Sequence, residues 1–593
     1  MYSFGMQGWL FFENRHGGIR RCFSFFSYLR SGFLYIREMQ NNLPENYPFY
    51  KWVPKPLGII FMILLFIPIL TIGGVYTANS TEMVGGLGII SEHITFVNFC
   101  TSVGMAAFCP FLYRLVCIRR EKLMMLSGLS IMFVLSYICA VTESIFVLAL
   151  CSVIMGFLRM VLMLAHLFVL IRYAFGIEAT QNLTPGMEPV DGVGWDKLDK
   201  ERAMAQPAVY FFFMLLGQLG TSLTAWLSFE YEWQYVYHFM MATSIISILI
   251  IFVSMPFRGY QKNEPYPINL RQFGNVAVFC ITWACFSYVL VYGKVLDWYD
   301  DPTIQVATML GIVSAILMIY MDVYHEGPYF KLGLLRYRTV WIGIILYFLL
   351  MFFNSSAMFV NVFASIGMKL DNWQSASLNN WTILGYFIGM IIAIVMVKKG
   401  LHLKYVFAAG FLFIALAAMF MYFEVQSAGL YERMKYPVII RSCGMMMLYA
   451  LATVYATQRV PFRYFSTWIC VMITIRMVVG PVSGASAYTN VLQHRQQHYV
   501  TRYAQNVDVV NIDAASTYNR TLMGMQYQGK SEKEAHNMAA LSTKGRVQIQ
   551  ATLSAVKEMA GWTIWGCAAC TLLVLVMPYP KRDISNDYKG ESA

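Results

Sequence analysis

The sequence predicts an all-α polytopic membrane protein with about fourteen transmembrane helices, and three observations carry that expectation. Hydrophobic residues make up 58% of the 593-residue chain and charged residues only 13%, a balance too apolar for an ordinary soluble fold. Mean hydropathy is +0.53. Apolar runs recur at the length of about 20 residues that a helix needs to cross the hydrocarbon. The connections between these runs alternate in charge, basic after even-numbered runs and acidic after odd-numbered ones.

In order, the runs begin near residues 57, 94, 123, 147, 207, 234, 273, 303, 339, 381, 403, 437, 464 and 560. The even-numbered connections carry Arg119, Arg120 and Lys122; Arg172; Arg258 and Lys262; Lys331, Arg336 and Arg338; Lys398, Lys399 and Lys404; and Arg459 and Arg463. An excess of Lys and Arg marks cytoplasmic loops. The odd-numbered connections carry Glu82 and Glu92, Glu143, Glu230 and Glu232, Asp297, Asp300 and Asp301, Asp371, then Glu424 and Glu432. An even number of spans places both termini in the cytoplasm, in agreement with Lys51 and Lys55 before the first run and Lys581 and Arg582 after the last. The net charge of +12 therefore reports topology and excludes a nucleic-acid partner; the lipid bilayer is the expected surroundings.

These runs divide the chain into a cytoplasmic segment 1–56, an N-terminal transmembrane half 57–256, two extra spans with their loops 257–335, C-terminal spans 336–487, a long outer loop 488–557, a last span 558–578 and a cytoplasmic tail 579–593. Residues 1–38 are aromatic and basic but lack an apolar core followed by a small-residue cleavage site, so no signal peptide is expected. Translation is expected to begin at Met39, where a polar stretch leads into the first span. The loop 488–557 is expected to be partly helical and exposed, with Lys544 to Glu558 patterned as an amphipathic helix.

Polar residues inside spans are costly and each is a functional candidate. Arg159 and His166 lie seven apart and so share one helical face; Arg441 and Arg476 raise the same question. Asn354 and Asn361 repeat the seven-residue spacing, either lining a substrate path or bonding neighbouring helices. Gly217 and Gly220, and Gly480 and Gly484, permit close helix approach, and Pro481 bends its helix.

Other signals carry less. GMQYQGKS, from Gly524 to Ser531, fits a phosphate-loop pattern but follows no strand. His494 and His498 have metal-ligand spacing without an intervening Glu, and a solvated helix face is the better reading. Cys567 and Cys570 stand alone inside an apolar run, where packing suffices. No metal or cofactor is expected.

The stretch Tyr292 to Ile304, YGKVLDWYDDPTI, resembles the loop after the seventh span of the EmrB/QacA-like drug:proton antiporters, the fourteen-span branch of the major facilitator superfamily, with Asp297 and Trp298 on its Leu-Asp-Trp core. Tyr329 to Thr339, YFKLGLLRYRT, is similar to a later segment of that family. ITIRMVVGPVSGASAYT, Ile473 to Thr489, resembles its late helix of one Arg followed by spaced glycines, with Arg476 on that Arg. VIMGF (Val153 to Phe157) and GQLGTSLTAWLS (Gly217 to Ser228) sit where the fourth-span and antiporter motifs belong. There are departures: Ser152 occupies the place of the fourth-span Arg, the antiporter motif lacks its Pro, and Asn79, Ser80 and Thr81 stand where the family has Asp-Ser-Thr.

The resemblance implies a major facilitator fold, two six-helix halves plus two extra helices, in a bacterial inner membrane, with 488–557 as a periplasmic loop. It implies a transporter, not an enzyme, exporting amphipathic or toxic small molecules by alternating access, with a periplasmic adaptor and an outer-membrane channel as partners. Proton coupling would fall to Glu82 or Glu92, with Arg159, His166 and Arg476 as charge partners. The alternatives are a sensor or scaffold that keeps the fold without transport, and a lipid-modifying enzyme using the cluster Asp297, Asp300 and Asp301.

Overall fold

A computed structural model describes residues 48–579 except 109–110, 112–120, 176–194, 258–269, 325–329, 427–428, 458–459, 461–463 and 509–510. The start at Met39, the basic residues Arg119, Arg120, Arg258, Lys262, Arg459 and Arg463, and the tail from 580 lie outside the described residues. Every regular element among the described residues is helical.

The N-terminal half begins with α1, Lys55–Val75, which breaks at Leu65, three residues before Pro68. A proline ring clashes with the carbonyl one turn earlier, so a break there is expected. There follow a short helix α2 (Ser80–Leu87), then α3 (Ser91–Ala106), α4 (Glu121–Val141), α5 (Ile145–Phe175), α6 (Trp195–Glu230) and α7 (Tyr235–Ser254). Two further helices come next, α8 (Leu270–Tyr292) and α9 (Pro302–Tyr324). The C-terminal part consists of α10 (Arg338–Asn354), α11 (Ala357–Val362), α12 (Asn372–Asn379), α13 (Thr382–Lys398), α14 (Leu403–Glu424), α15 (Tyr431–Thr457), α16 (Phe465–Thr474), α17 (Gly480–Ala504), α18 (Ile512–Tyr527) and α19 (Glu532–Val576). Among the described residues thirteen helices are long and apolar enough to cross a membrane. The remaining expected span, near residue 94, is α3, whose sixteen residues reach about 24 Å at 1.5 Å per residue.

Two π-helical turns interrupt the C-terminal part, Phe363–Gly367 after α11 and Ile475–Val479 between α16 and α17. Such turns insert one extra residue per turn and occur mostly at functional sites. The second carries Arg476 and ends against Gly480 and Pro481.

Among the described residues there are two large apolar cores, one within the N-terminal half and one centred on the C-terminal part that also takes in Phe99, Val103 and Met160 of α3 and α5. Met62, Phe66, Ile69, Val97, Met155, Tyr237 and Met240 are buried together in the N-terminal half. Leu346, Phe407, Phe411, Met447, Leu451 and Trp468 anchor the core of the C-terminal part. Between them, α6 packs on α1 on one side and on α13 and α15 on the other, while α3 packs on α5, α8 and the turn bearing Arg476.

The segment 488–557 is helical except near 505–511 and 528–531. It comprises the end of α17, α18 and the first half of α19, whose 45 residues span about 67 Å. The Lys544 to Glu558 stretch runs straight into the last apolar span as one helix. Bidentate bonding fastens α17 to α19: Arg495 donates from Nε to Glu558 Oε2 at 2.8 Å and from Nη2 to Oε1. The phosphate-loop-like run is the corner between α18 and α19. Ser531 is the N-cap of α19, bonding the Glu534 backbone N–H while the Glu534 carboxylate accepts from Ser531 N–H. His494 and His498 are exposed on α17, and no cluster of three potential metal ligands exists among the described residues.

Candidate substrate site

The central polar cluster is built from both halves. From the π-helical turn, Arg476, 8% exposed, lays its guanidinium over the ring of Tyr449 at 4.5 Å and of Tyr210 at 5.9 Å. Tyr210 comes from α6, Tyr449 from α15, and their rings meet edge to face with centroids 5.1 Å apart. Thr453, one turn along α15 from Tyr449, ties the group together: its hydroxyl bonds Tyr210 Oη at 3.0 Å and also Tyr347 Oη of α10. Tyr347 in addition donates to the Tyr449 carbonyl at 3.0 Å.

Arg159 reaches this cluster from the N-terminal half. Its guanidinium rests on Gly73 of α1, where a Cβ would stand 2.5 Å from Nη2, and lies within Coulombic reach of the Tyr449 hydroxyl. Arg159 keeps part of its surface open, as do Tyr210, Tyr386 and Arg441. The Nε atoms of Arg159, Arg441 and Arg476 are buried and without a hydrogen-bond partner among the described residues. Arg441 is otherwise engaged, donating from Nη1 to the backbone and side-chain oxygens of Asn354, both at 3.1 Å.

The remaining candidates are distributed differently. His166 shares the helix of Arg159 but is buried in the N-terminal core, its Nε2 2.6 Å from the Met62 carbonyl beside the break in α1 and its ring edge-on to Phe66. Asn361 accepts from Asn379 Nδ2 at 3.2 Å, away from the arginines. Glu82 is on α2 and makes no ion pair with any described residue. Glu92, in the first turn of α3, pairs with Lys294 at 2.8 Å, and beside it His93 Nδ1 lies 2.5 Å from Tyr292 Oη, so this patch ties α3 to the end of α8.

The glycines also differ in what they do. A Cβ on Gly480 would meet Met351 at 2.5 Å and one on Gly484 would meet Ser355 at 2.4 Å, so α17 lies tight on α10. A Cβ on Gly220 would stand 3.3 Å from the Leu70 carbonyl oxygen, but one on Gly217 would meet nothing within 4 Å, so the close approach expected there is not present. The tightest crossing lies elsewhere, at Gly104 on α3 and Gly156 on α5, where a Cβ would fall 1.9 Å and 2.0 Å from backbone oxygens of the other helix. Asp297 and Trp298 both adopt positive φ, 50° and 58°, a conformation L residues rarely hold. Trp298 is kept there by its N–H bond to the Gly293 carbonyl at 2.8 Å and by its ring lying on Gly293.

Sequence reading missed a neutral hydrogen-bond network in the N-terminal half. Ser152 donates to Tyr76 Oη at 2.7 Å, and Tyr237 donates to the same oxygen at 3.2 Å, all three buried. Asn79, fully buried, donates from Nδ2 to the Trp233 carbonyl at 3.1 Å. Neither Tyr76 nor Tyr237 has a sequence signature, because both are tyrosines in apolar runs.

At the end of the bundle that bears the acidic loops, polar bonds join the two halves. Asn372 donates to the Ala78 carbonyl at 2.8 Å, and Gln218 and Ser222 of α6 both donate to Asn380 Oδ1.

Thirteen helices among the described residues that are long and apolar enough to cross a membrane, arranged as two helical halves with a polar cluster between them and two extra helices, define a polytopic membrane protein of the major facilitator fold. A solved proton-dependent oligopeptide transporter superposes with a TM-score of 0.50 at 12% identity, over 87% of this chain and 97% of that one. The nucleoside transporter NupG superposes at 0.47 with 12% identity over 88% and 100%, and the human organic anion transporter MFSD10 at 0.40 with 11% over 74% and 93%. No family model and no curated protein matches the chain.

Proposed function

We propose that this protein is a secondary active transporter that moves small molecules across the membrane by alternating access at the space between its halves. The observation that carries the reading is the central cluster: Arg476 of the C-terminal part lies over Tyr449 and over Tyr210 of the N-terminal half, whose rings touch, and the charge of Arg159 acts on the same Tyr449, so polar side chains of both halves converge. The bonds Asn372 to Ala78 and Gln218 and Ser222 to Asn380 then act as the gate at one end, broken when the halves rock apart.

Membership of the EmrB/QacA-like branch, export of amphipathic or toxic compounds, placement in a bacterial inner membrane with cytoplasmic termini, and docking of a periplasmic adaptor and outer-membrane channel on the α17–α19 extension follow from the sequence resemblance. Within that reading Glu92 is the favoured coupling acid, since its ion pair with Lys294 ties α3 to the turn after α8 and protonation would release it. Glu82 is the second candidate. Replacing residues 505–547, the whole outer part of the extension, with a short turn that joins α17 to the facing part of α19 is expected to leave substrate binding intact and to abolish export if the extension docks an adaptor.

The test is accumulation of a panel of fluorescent amphipathic compounds in cells lacking the gene, with and without a protonophore. Wild type is expected to lower accumulation, and Glu92→Gln to lose at least 10-fold of that activity while still binding substrate. A wild type that moves no compound in cells or in proteoliposomes would leave the scaffold reading, which the uncharged Asn79 and Ser152 favour.

A further inference from the structure

Resting on the transporter reading, we infer that the central site takes an amphipathic organic anion, its carboxylate, sulfonate or phosphonate group held between Arg159 and Arg476 and its apolar body against Tyr210, Tyr347 and Tyr449. The first ground is charge. The spanning helices place every Asp and Glu in the first or last turn, apart from those in the extension and Glu558, which is bonded to Arg495. Arg159, Arg441 and Arg476 therefore sit in the interior with no acidic side chain among the described residues to balance them. Buried guanidinium groups require compensation, and here the compensation is partial.

The second ground is geometry. Arg441 is held by both oxygens of Asn354, which makes it a helix tie. Arg476 lies over the rings of Tyr449 and Tyr210 in a cation–π arrangement with its Nε unpartnered among the described residues, and Arg159 has Gly73 beneath it with its own Nε unpartnered. Guanidinium forks match the paired oxygens of a carboxylate or sulfonate. Because the two arginines belong to different halves, one bound anion would bridge them, so the ligand itself contributes to closing the site around it.

The experiment uses the purified full chain in detergent and in proteoliposomes with three matched probes: a naphthalene sulfonate, the corresponding naphthalene sulfonamide, which is neutral, and a naphthyl trimethylammonium. Wild type is expected to bind the sulfonate at least 10-fold more tightly than either other probe, read as ligand-induced thermal shift and by titration. Arg159→Gln and Arg476→Gln should each erase that preference, with Arg159→Lys and Arg476→Lys recovering part of it, while size-exclusion profiles report folding. Equal or tighter binding of the ammonium probe overturns the anion assignment but leaves transport intact if that probe is moved. Stabilisation by chloride alone, with no sulfonate preference, also overturns it and assigns the arginines to an inorganic counter-ion. Absence of transport for all three probes, with sulfonate binding retained, sinks the transporter reading and keeps the anion site.

Discussion

Asn79 is uncharged where the resembled family has an acid, and its bond explains why an amide suits the site. Its Nδ2 donates to a buried carbonyl, a bond an ionised carboxylate cannot make. Asn79→Asp is therefore expected to cost about 1–3 kcal/mol near neutral pH, the usual penalty for an unsatisfied buried group, and to recover as the pH falls and the new acid protonates. Thermal unfolding in detergent at neutral and acid pH checks both. A second residue has the opposite sign. Asp301 accepts from the Thr303 hydroxyl and backbone N–H at the start of α9, and these bonds hold its carboxyl below the usual carboxylate range. Its contribution is thus present at neutral pH and fades as pH falls through that lowered value. Asp301→Asn should flatten this acid-side decline in helix-start stability, read by hydrogen exchange at Thr303.

At the scale of elements, the crossing of α3 and α5 is the most sensitive contact in the N-terminal half. Gly104 and Gly156 let the helices touch backbone to backbone, so Gly104→Val or Gly156→Val must push them apart, with a loss of at least about 1–3 kcal/mol typical of overpacking. Expression yield and melting temperature report it, while Gly217→Ala, with open space around it, is expected to change neither. This contrast also marks what the sequence could say. Span number, loop polarity and the arginine on the late helix follow from hydropathy and charge, which are local properties of the chain. Which glycine meets which helix depends on rotation about each helix axis, and a chain apolar all round, as in a bilayer, leaves that rotation unmarked. The tyrosines around Arg476 were hidden for the same reason, since Tyr in a greasy run looks like packing until a second helix supplies its partner. The extension was legible as partly helical only, because its length shows as a single rod once Ser531 is seen to cap it.

For the whole molecule, the proposed transport cycle makes the bonds at the acidic-loop end a gate that must open. Joining Ala78→Cys and Asn372→Cys with a short reducible cross-linker is expected to reduce transport at least 10-fold, with recovery on reduction, whereas either single variant retains activity. Full transport by the cross-linked protein would mean that this end does not open during the cycle.

The rod formed by α19 turns a small motion into a large one. About 25 of its residues lie before the last apolar span, an arm of about 37 Å braced by α17 and α18. A rocking of about 15°, the size of known rigid-body rotations between packed units, would sweep its tip by about 10 Å. The corner near Tyr527 thus works as a pointer on a dial: whatever is seated there would feel the occupancy of a pocket it never touches, and a pair of spin labels across that corner and the N-terminal half would read each turn of the cycle directly.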